Sequence, residues 1–215
     1  MMNLLDKSPY IAIEGPIGAG KTSLSRRIAA QLDAELMLEN AEENPFLARF
    51  YRDPARFALA TQLFFLFQRS TQVNQLKQND LFQQARVADF LLDKDPIFAE
   101  LNLDNDEYRL YQNIYQELRL QAPLPDLVIY LQAKPSVLLE RIRKRGIGYE
   151  THINAEYLTR LSDRYTHYFY QYNDAPLLIV NCEQFNFVDN DTHFELLLRQ
   201  INGMRGPREF FNQTA

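Results

Sequence analysis

The chain has 215 residues, enough for one domain with a sizeable core and no covalent staples. Hydrophobic residues at 46% and charged residues at 24% lie near globular averages, which excludes intrinsic disorder and collagen-like repeats. A net charge of −5 speaks against a nucleic-acid-binding surface, which is usually strongly basic.

No apolar run reaches the roughly 18 residues that a membrane span needs. The longest, Phe57 to Phe67, is broken by Thr61 and Gln62. Asp6 and Lys7 ahead of the first strand do not read as a signal peptide. The one cysteine, Cys182, has no partner for an internal disulfide, so a reducing, cytoplasmic setting is expected.

In chain order, near-continuous apolar stretches predict buried strands over Tyr10–Glu14, Glu35–Glu39, Arg86–Phe90, Leu127–Leu131 and Leu177–Asn181. Helical periodicity predicts Thr22–Leu32, Pro54–Asn79, Glu107–Leu120, Ser136–Lys144, Asn154–Tyr172 and Thr192–Met204. Strands alternating with helices imply an α/β fold in three layers, with a parallel sheet of about five strands between helices. No linker or repeat divides the chain, so residues 1–215 are expected to form one domain.

The first strand runs into Gly15-Pro16-Ile17-Gly18-Ala19-Gly20-Lys21-Thr22, followed by Ser23 and an amphipathic helix. This is the P-loop pattern G-x-x-x-x-G-K-[ST] in its proper strand–loop–helix setting. Glycines let the backbone curl and aim N–H groups at phosphate, and the helix adds its positive end. Lys21 supplies a point charge for the outer phosphates, and the Thr22 hydroxyl can ligate Mg2+. A nucleoside triphosphate is the expected ligand.

A GTPase would carry Asn-Lys-x-Asp, which is absent, and Asp89 is followed by Phe-Leu-Leu rather than by a glycine three residues on. Arg141-Ile-Arg143-Lys144-Arg145-Gly146-Ile147-Gly148 suits a mobile lid, spanning about 141–152, whose guanidinium groups neutralise developing charge. The same run also fits a solvated basic helix end. Two carboxylates, Glu39 and Asp89, fall where the second and third strands end, the position at which ligands collect in parallel sheets. Either could accept a hydroxyl proton or hold magnesium. His152, His167 and His193 lack metal-ligand spacing.

Glu39-Asn-Ala-Glu-Glu-Asn44-Pro45 through Tyr51-Arg-Asp53-Pro54, then Thr61-Gln62 to Arg69, Ile97-Phe98-Ala99, the lid arginines and Ala155-Glu156-Tyr157-Leu158 together resemble the deoxynucleoside kinase family. The likeness is greatest to its bacterial deoxyadenosine/deoxyguanosine branch and covers nearly the whole chain. The resemblance implies a P-loop kinase fold, with ATP and Mg2+ as cofactors. It implies transfer of phosphate to the 5′-hydroxyl of a deoxynucleoside, and a homodimer formed through the long Phe-rich helix. It also implies roles. Glu39 handles the 5′-hydroxyl, Gln62 reads the nucleobase edge, and Tyr51 and Glu156 grip the sugar 3′-hydroxyl. Phe65 and Phe98 flank the base, or serve as plain core. Arg69 bonds the base or pairs with a carboxylate. Arg141 and Arg145 act from the lid, and the segment 183–187 packs by the ATP adenine.

The sequence also departs from the family pattern. Glu/Asp-Arg-Ser usually follows the third strand, whereas Ala88 and Asp89 stand at its acidic and arginine positions. Asp89 can take the magnesium role only if the strand ends or bulges there, because adjacent strand residues point oppositely. Lys94 and Arg86 are the candidate replacements for the missing cation. Two other readings stay open, a nucleoside monophosphate kinase resembling thymidylate kinase and a nucleotide-binding regulatory module without turnover.

Overall fold

The computed structural model describes residues 9–78, 84–119 and 123–212. Asp6 and Lys7, which do not read as a signal peptide, and Asn79 and Leu120, the expected ends of two helices, lie outside the described residues. Strands β1 (Tyr10–Glu14), β2 (Glu35–Met37), β3 (Arg86–Ala88), β4 (Leu127–Gln132), β5 (Leu177–Asn181) and β6 (Arg208–Phe211) form one sheet in the order β2-β3-β1-β4-β5-β6. Every pairing in it is parallel. The helices are α1 (Lys21–Leu32), α2 (Leu47–Phe50), α3 (Pro54–Gln78), α4 (Asp95–Asn102), α5 (Asn105–Arg119), α6 (Pro135–Arg145), α7 (Ala155–Gln171) and α8 (Asp191–Gly203).

The three-layer expectation holds, and strand alternation explains it. Ile11, Ile13, Ile129, Leu131, Leu178 and Val180 face one way, against Leu24 and Ile28 of α1, Leu138 and Ile142 of α6 and Leu197 of α8. Ala12, Val128, Tyr130, Leu177 and Ile179 face the other way, against Ile97 of α4 and Leu161, Tyr165 and Phe169 of α7. A second cluster on that side joins Leu66 of α3 to Tyr111 and Tyr115 of α5 over Met37, Ala88 and Phe90. Each fully buried aliphatic or aromatic side chain contributes about 1.5–3 kcal/mol, so the sheet is fixed from both faces.

Three expectations need correction. The sheet has six strands, because Arg208–Phe211 extends it beside β5. That edge strand is only half-buried, so its sequence lacks the apolar run that marks the others. Strands β2 and β3 stop at Met37 and Ala88, two residues before the predicted ends. Beyond them the side chain of Asp89 captures the Glu39 N–H at 2.7 Å, replacing a ladder bond. Helices α2 and α4 were not predicted, since four and eight residues are too few to display a period. No helix among the described residues is long and apolar enough to cross a membrane.

Candidate active site

The phosphate loop leaves the carboxyl end of β1, the central strand. Its shape requires glycine at two positions. At Gly18 (φ 85°) a Cβ would lie 2.8 Å from the Leu138 carbonyl oxygen, and at Gly15 it would lie 2.6 Å from that of Leu131. Without a Cβ the loop lies flush on β4 and α6. Lys21 begins α1 and folds back, donating to the Gly15 carbonyl at 2.8 Å and the Pro16 carbonyl at 3.4 Å. Burial, aided by nearby Lys94, lowers its pKa to about 8. Ile17 lines the cleft in front of the loop, while Ala19, Gly20 and Ser23 line a second cleft behind it.

The front cleft, about 150 Å³ in volume, brings together nearly every predicted acceptor residue. Gln62, Phe65 and Arg69 reach it from one face of α3, as spacings of three and four along a helix require. Tyr51 enters from the end of α2 and Phe98 from α4. Glu39 enters from beyond β2, and Asp89 from the bend after β3. Because β3 ends at Ala88, Asp89 turns toward the loop. There its Oδ2 accepts from the Thr22 hydroxyl at 2.5 Å and its Oδ1 from the Glu39 N–H. Ala88 instead points into the core beside Met37, Leu66 and Phe90. A hydroxyl and a carboxylate so close together form an oxygen donor set that fits a hard divalent cation.

Glu39 accepts from Arg69 on one oxygen and from Lys94 Nζ at 3.3 Å on the other. Arg69 also binds Asp95, and its Cζ lies 5.1 Å from the Phe65 ring centre. Burial raises the Asp95 pKa to about 6, with Arg69 opposing the rise. Lys94 reaches Glu14 at 3.0 Å. Glu14 in turn accepts from Leu91 N–H at 2.7 Å, Gly15 N–H at 3.0 Å and the Tyr165 hydroxyl at 3.2 Å. Of the two candidate replacement cations, Lys94 is therefore in the site. Arg86, at the far end of β3, pairs with Glu35.

Glu156 is exposed in the first turn of α7 and does not line the cleft. The acid from this stretch of chain that does is Glu150, buried in the short turn Gly148–His152 and held by Arg145 at 2.6 Å. The rings of Tyr149 and Tyr51 stack at 6.1 Å, closing the lid turn onto α2. Burial, with Tyr157 and Glu150 nearby, holds the Tyr51 phenol well above its ordinary pKa. Glu14, Glu150 and Asp95 escaped the sequence reading. Only Glu14 left a local trace, a carboxylate ending an apolar strand just before Gly15.

The rear cleft is lined by Glu183–Asp189, Arg141, Lys144 and Arg145, the place expected for a donor base. Arg141 rests on the Cys182 carbonyl at 2.6 Å. Gly18 and Arg145 border both clefts, so the two meet at the phosphate loop beside the end of α6.

Known proteins are similar to this chain over most of its length. A deoxyguanosine kinase of Bacillus subtilis is 33% identical over 202 residues, covering 92% of this chain and 98% of its own. A deoxyadenosine kinase of Lactobacillus acidophilus is 29% identical, covering 89% and 94%. The solved structure of deoxyadenosine kinase from M. mycoides with bound dATP superposes with a TM-score of 0.78 at 32% identity, covering 90% and 99%. Residues 11–204 match the family model described as deoxynucleoside kinase. Two clefts joined at a phosphate loop thus accord with ancestry: the chain belongs to the deoxynucleoside kinase family.

Proposed function

We propose that the enzyme transfers the γ-phosphoryl group of ATP to the 5′-hydroxyl of a purine deoxynucleoside, with deoxyadenosine and deoxyguanosine as the favoured acceptors. The observation that carries this reading is the meeting of the two clefts at Gly18 and Arg145, with the Glu39 carboxylate on the acceptor side. The relatives named deoxyguanosine and deoxyadenosine kinases support the purine preference.

The triphosphate lies along Gly15–Thr22, with its base against the segment 183–189. Lys21 swings from the loop carbonyls to the phosphates. Thr22 and Asp89 would hold Mg2+, which supplies neutralising charge to the phosphates when bound. Glu39 orients the 5′-hydroxyl and takes its proton as the new P–O bond forms and the bond to the β-phosphate oxygen breaks, releasing ADP. Arg141 and Arg145 close from the lid, steady the transferring group and exclude water. Gln62 faces the base edge, and Phe65 and Phe98 flank its ring. Thr61 Oγ1 and Arg69 Nε, buried without hydrogen-bond partners, support a polar heterocycle as occupant. Tyr51 and Glu150, rather than Glu156, grip the sugar 3′-hydroxyl.

We further infer a homodimer through α3, where Phe67 is 52% exposed; on α5, which packs against α3, Leu110 is 50% exposed. One catalytic domain spans residues 1–215. The single, buried cysteine accords with a reducing cytoplasm.

A panel of deoxyadenosine, deoxyguanosine, deoxycytidine and thymidine beside their monophosphates, with magnesium ATP, tests the reading. Turnover of the purine nucleosides is expected. Turnover of monophosphates alone would replace it with a monophosphate kinase, and ATP binding without any transfer would leave a regulatory module.

A further inference from the structure

Lys94 is 1% exposed and carries its charge into the centre of the protein. Burying a lysine costs several kcal/mol unless partners offset it, and apolar side chains in place of the whole buried charge set would serve the fold as well or better. Burial indeed lowers its pKa, with Glu14 opposing. Such a residue beside a reacting group is a candidate for function.

Its surroundings specify the function. Lys94 ends the short turn after β3 and caps α4, so its backbone is fixed by two elements. Glu14 anchors its ammonium at 3.0 Å, and Glu14 is itself held by the first N–H of the phosphate loop, by Leu91 and by Tyr165. From that mount the ammonium reaches Glu39 at 3.3 Å. Arg69 holds the other Glu39 oxygen, so neither oxygen can rotate away. The remaining charged groups around this point are Asp95, Asp89, Lys21, Arg145 and Glu150.

We propose that Lys94 is a positioning residue for phosphoryl transfer: mounted on Glu14, it holds the Glu39 carboxylate in line with the phosphate loop and supplies fixed positive charge between the two. This rests on the reaction proposed above. Because Glu14 binds both Lys94 and Gly15 N–H, one carboxylate ties the acceptor-side acid to the donor-side loop. An acid so tied can be misplaced by ~1 Å without any loss of ground-state binding, at a cost of about 100-fold in rate.

The test is steady-state kinetics of Lys94→Met and Lys94→Arg with deoxyadenosine and magnesium ATP. Lys94→Met should lose about 100-fold in kcat while both KM values stay within about threefold, the pattern for an interaction needed only in the transition state. Lys94→Arg should recover at least about a tenth of the lost rate, since it restores charge at the same mount. If Lys94→Met does not fold, the double variant Glu14→Gln/Lys94→Met removes the buried charges as a pair and should show the same split. A kcat within about threefold of the parent, or a loss confined to KM, overturns the inference while leaving the reaction intact. Failure of the unaltered enzyme to phosphorylate any deoxynucleoside overturns the reaction itself.

Discussion

On the donor side, the phosphate loop works through its own backbone: N–H groups, a lysine six residues from Gly15 and two glycines whose missing Cβ atoms let neighbours close in. On the acceptor side, the contacts run from side chain to side chain, and their owners come from β1, α3, α4 and the segments following β2 and β3. The first design is local, carried by one run of chain. The second is distributed, and each charge depends on another. Removing one partner there strands a buried charge, at a cost of about 3–5 kcal/mol. Removing a donor-side group mainly costs rate.

Lys21→Ala should mark the donor side most sharply, lowering kcat/KM by about 1000-fold or more in a nucleoside kinase assay while the thermal midpoint stays nearly unchanged. A large fall in the midpoint would show that the loop is no more independent than the charge network. Glu39→Gln should lower kcat by about 100-fold with a small change in nucleoside KM. An active Glu39→Gln enzyme would remove that residue from the chemistry.

Glu150→Gln should raise nucleoside KM by about tenfold, the value of one charge-assisted hydrogen bond to a sugar hydroxyl. If Glu156→Gln had that effect instead, the lid acid would be misassigned. A last effect concerns pH. In the proposed reaction Lys21 binds triphosphate in its charged form, and burial lowers its pKa to about 8. ATP affinity measured by calorimetry should therefore be full below about pH 7 and weaken as pH rises through 8, approaching tenfold per unit for one proton. An affinity flat to pH 9.5 would place the charge elsewhere.

The same contrast explains what the sequence disclosed. The loop was legible because its function is written in eight consecutive residues with a strand before and a helix after. The core strands were legible because burial on both faces leaves unbroken apolar runs. The acceptor network was only partly so. Glu14 meets Leu91 across 77 residues, and Glu39 meets Asp89 across 50, separations at which no local pattern survives. Asp89 became interpretable only when β3 was seen to end before it. Linear spacing also could not choose between Glu150 and Glu156. The turn Gly148–His152 folds the first inward, and the Asn154 cap starts α7 so that the second faces solvent. The edge strand β6 carries too little buried surface to announce itself.

Gly18 packs against α6. A methyl group there would strike the Leu138 carbonyl and crowd Ile142, and both belong to the helix that ends in Arg141 and Arg145. The phosphate loop and the helix that carries the proposed lid arginines thus share a wall with no slack, and a bulkier wall would displace both at once. In the proposed reaction, phosphate handling and lid travel are therefore coupled. Divergence in this enzyme has room to act elsewhere in the front cleft, where Gln62 and Phe98 line it.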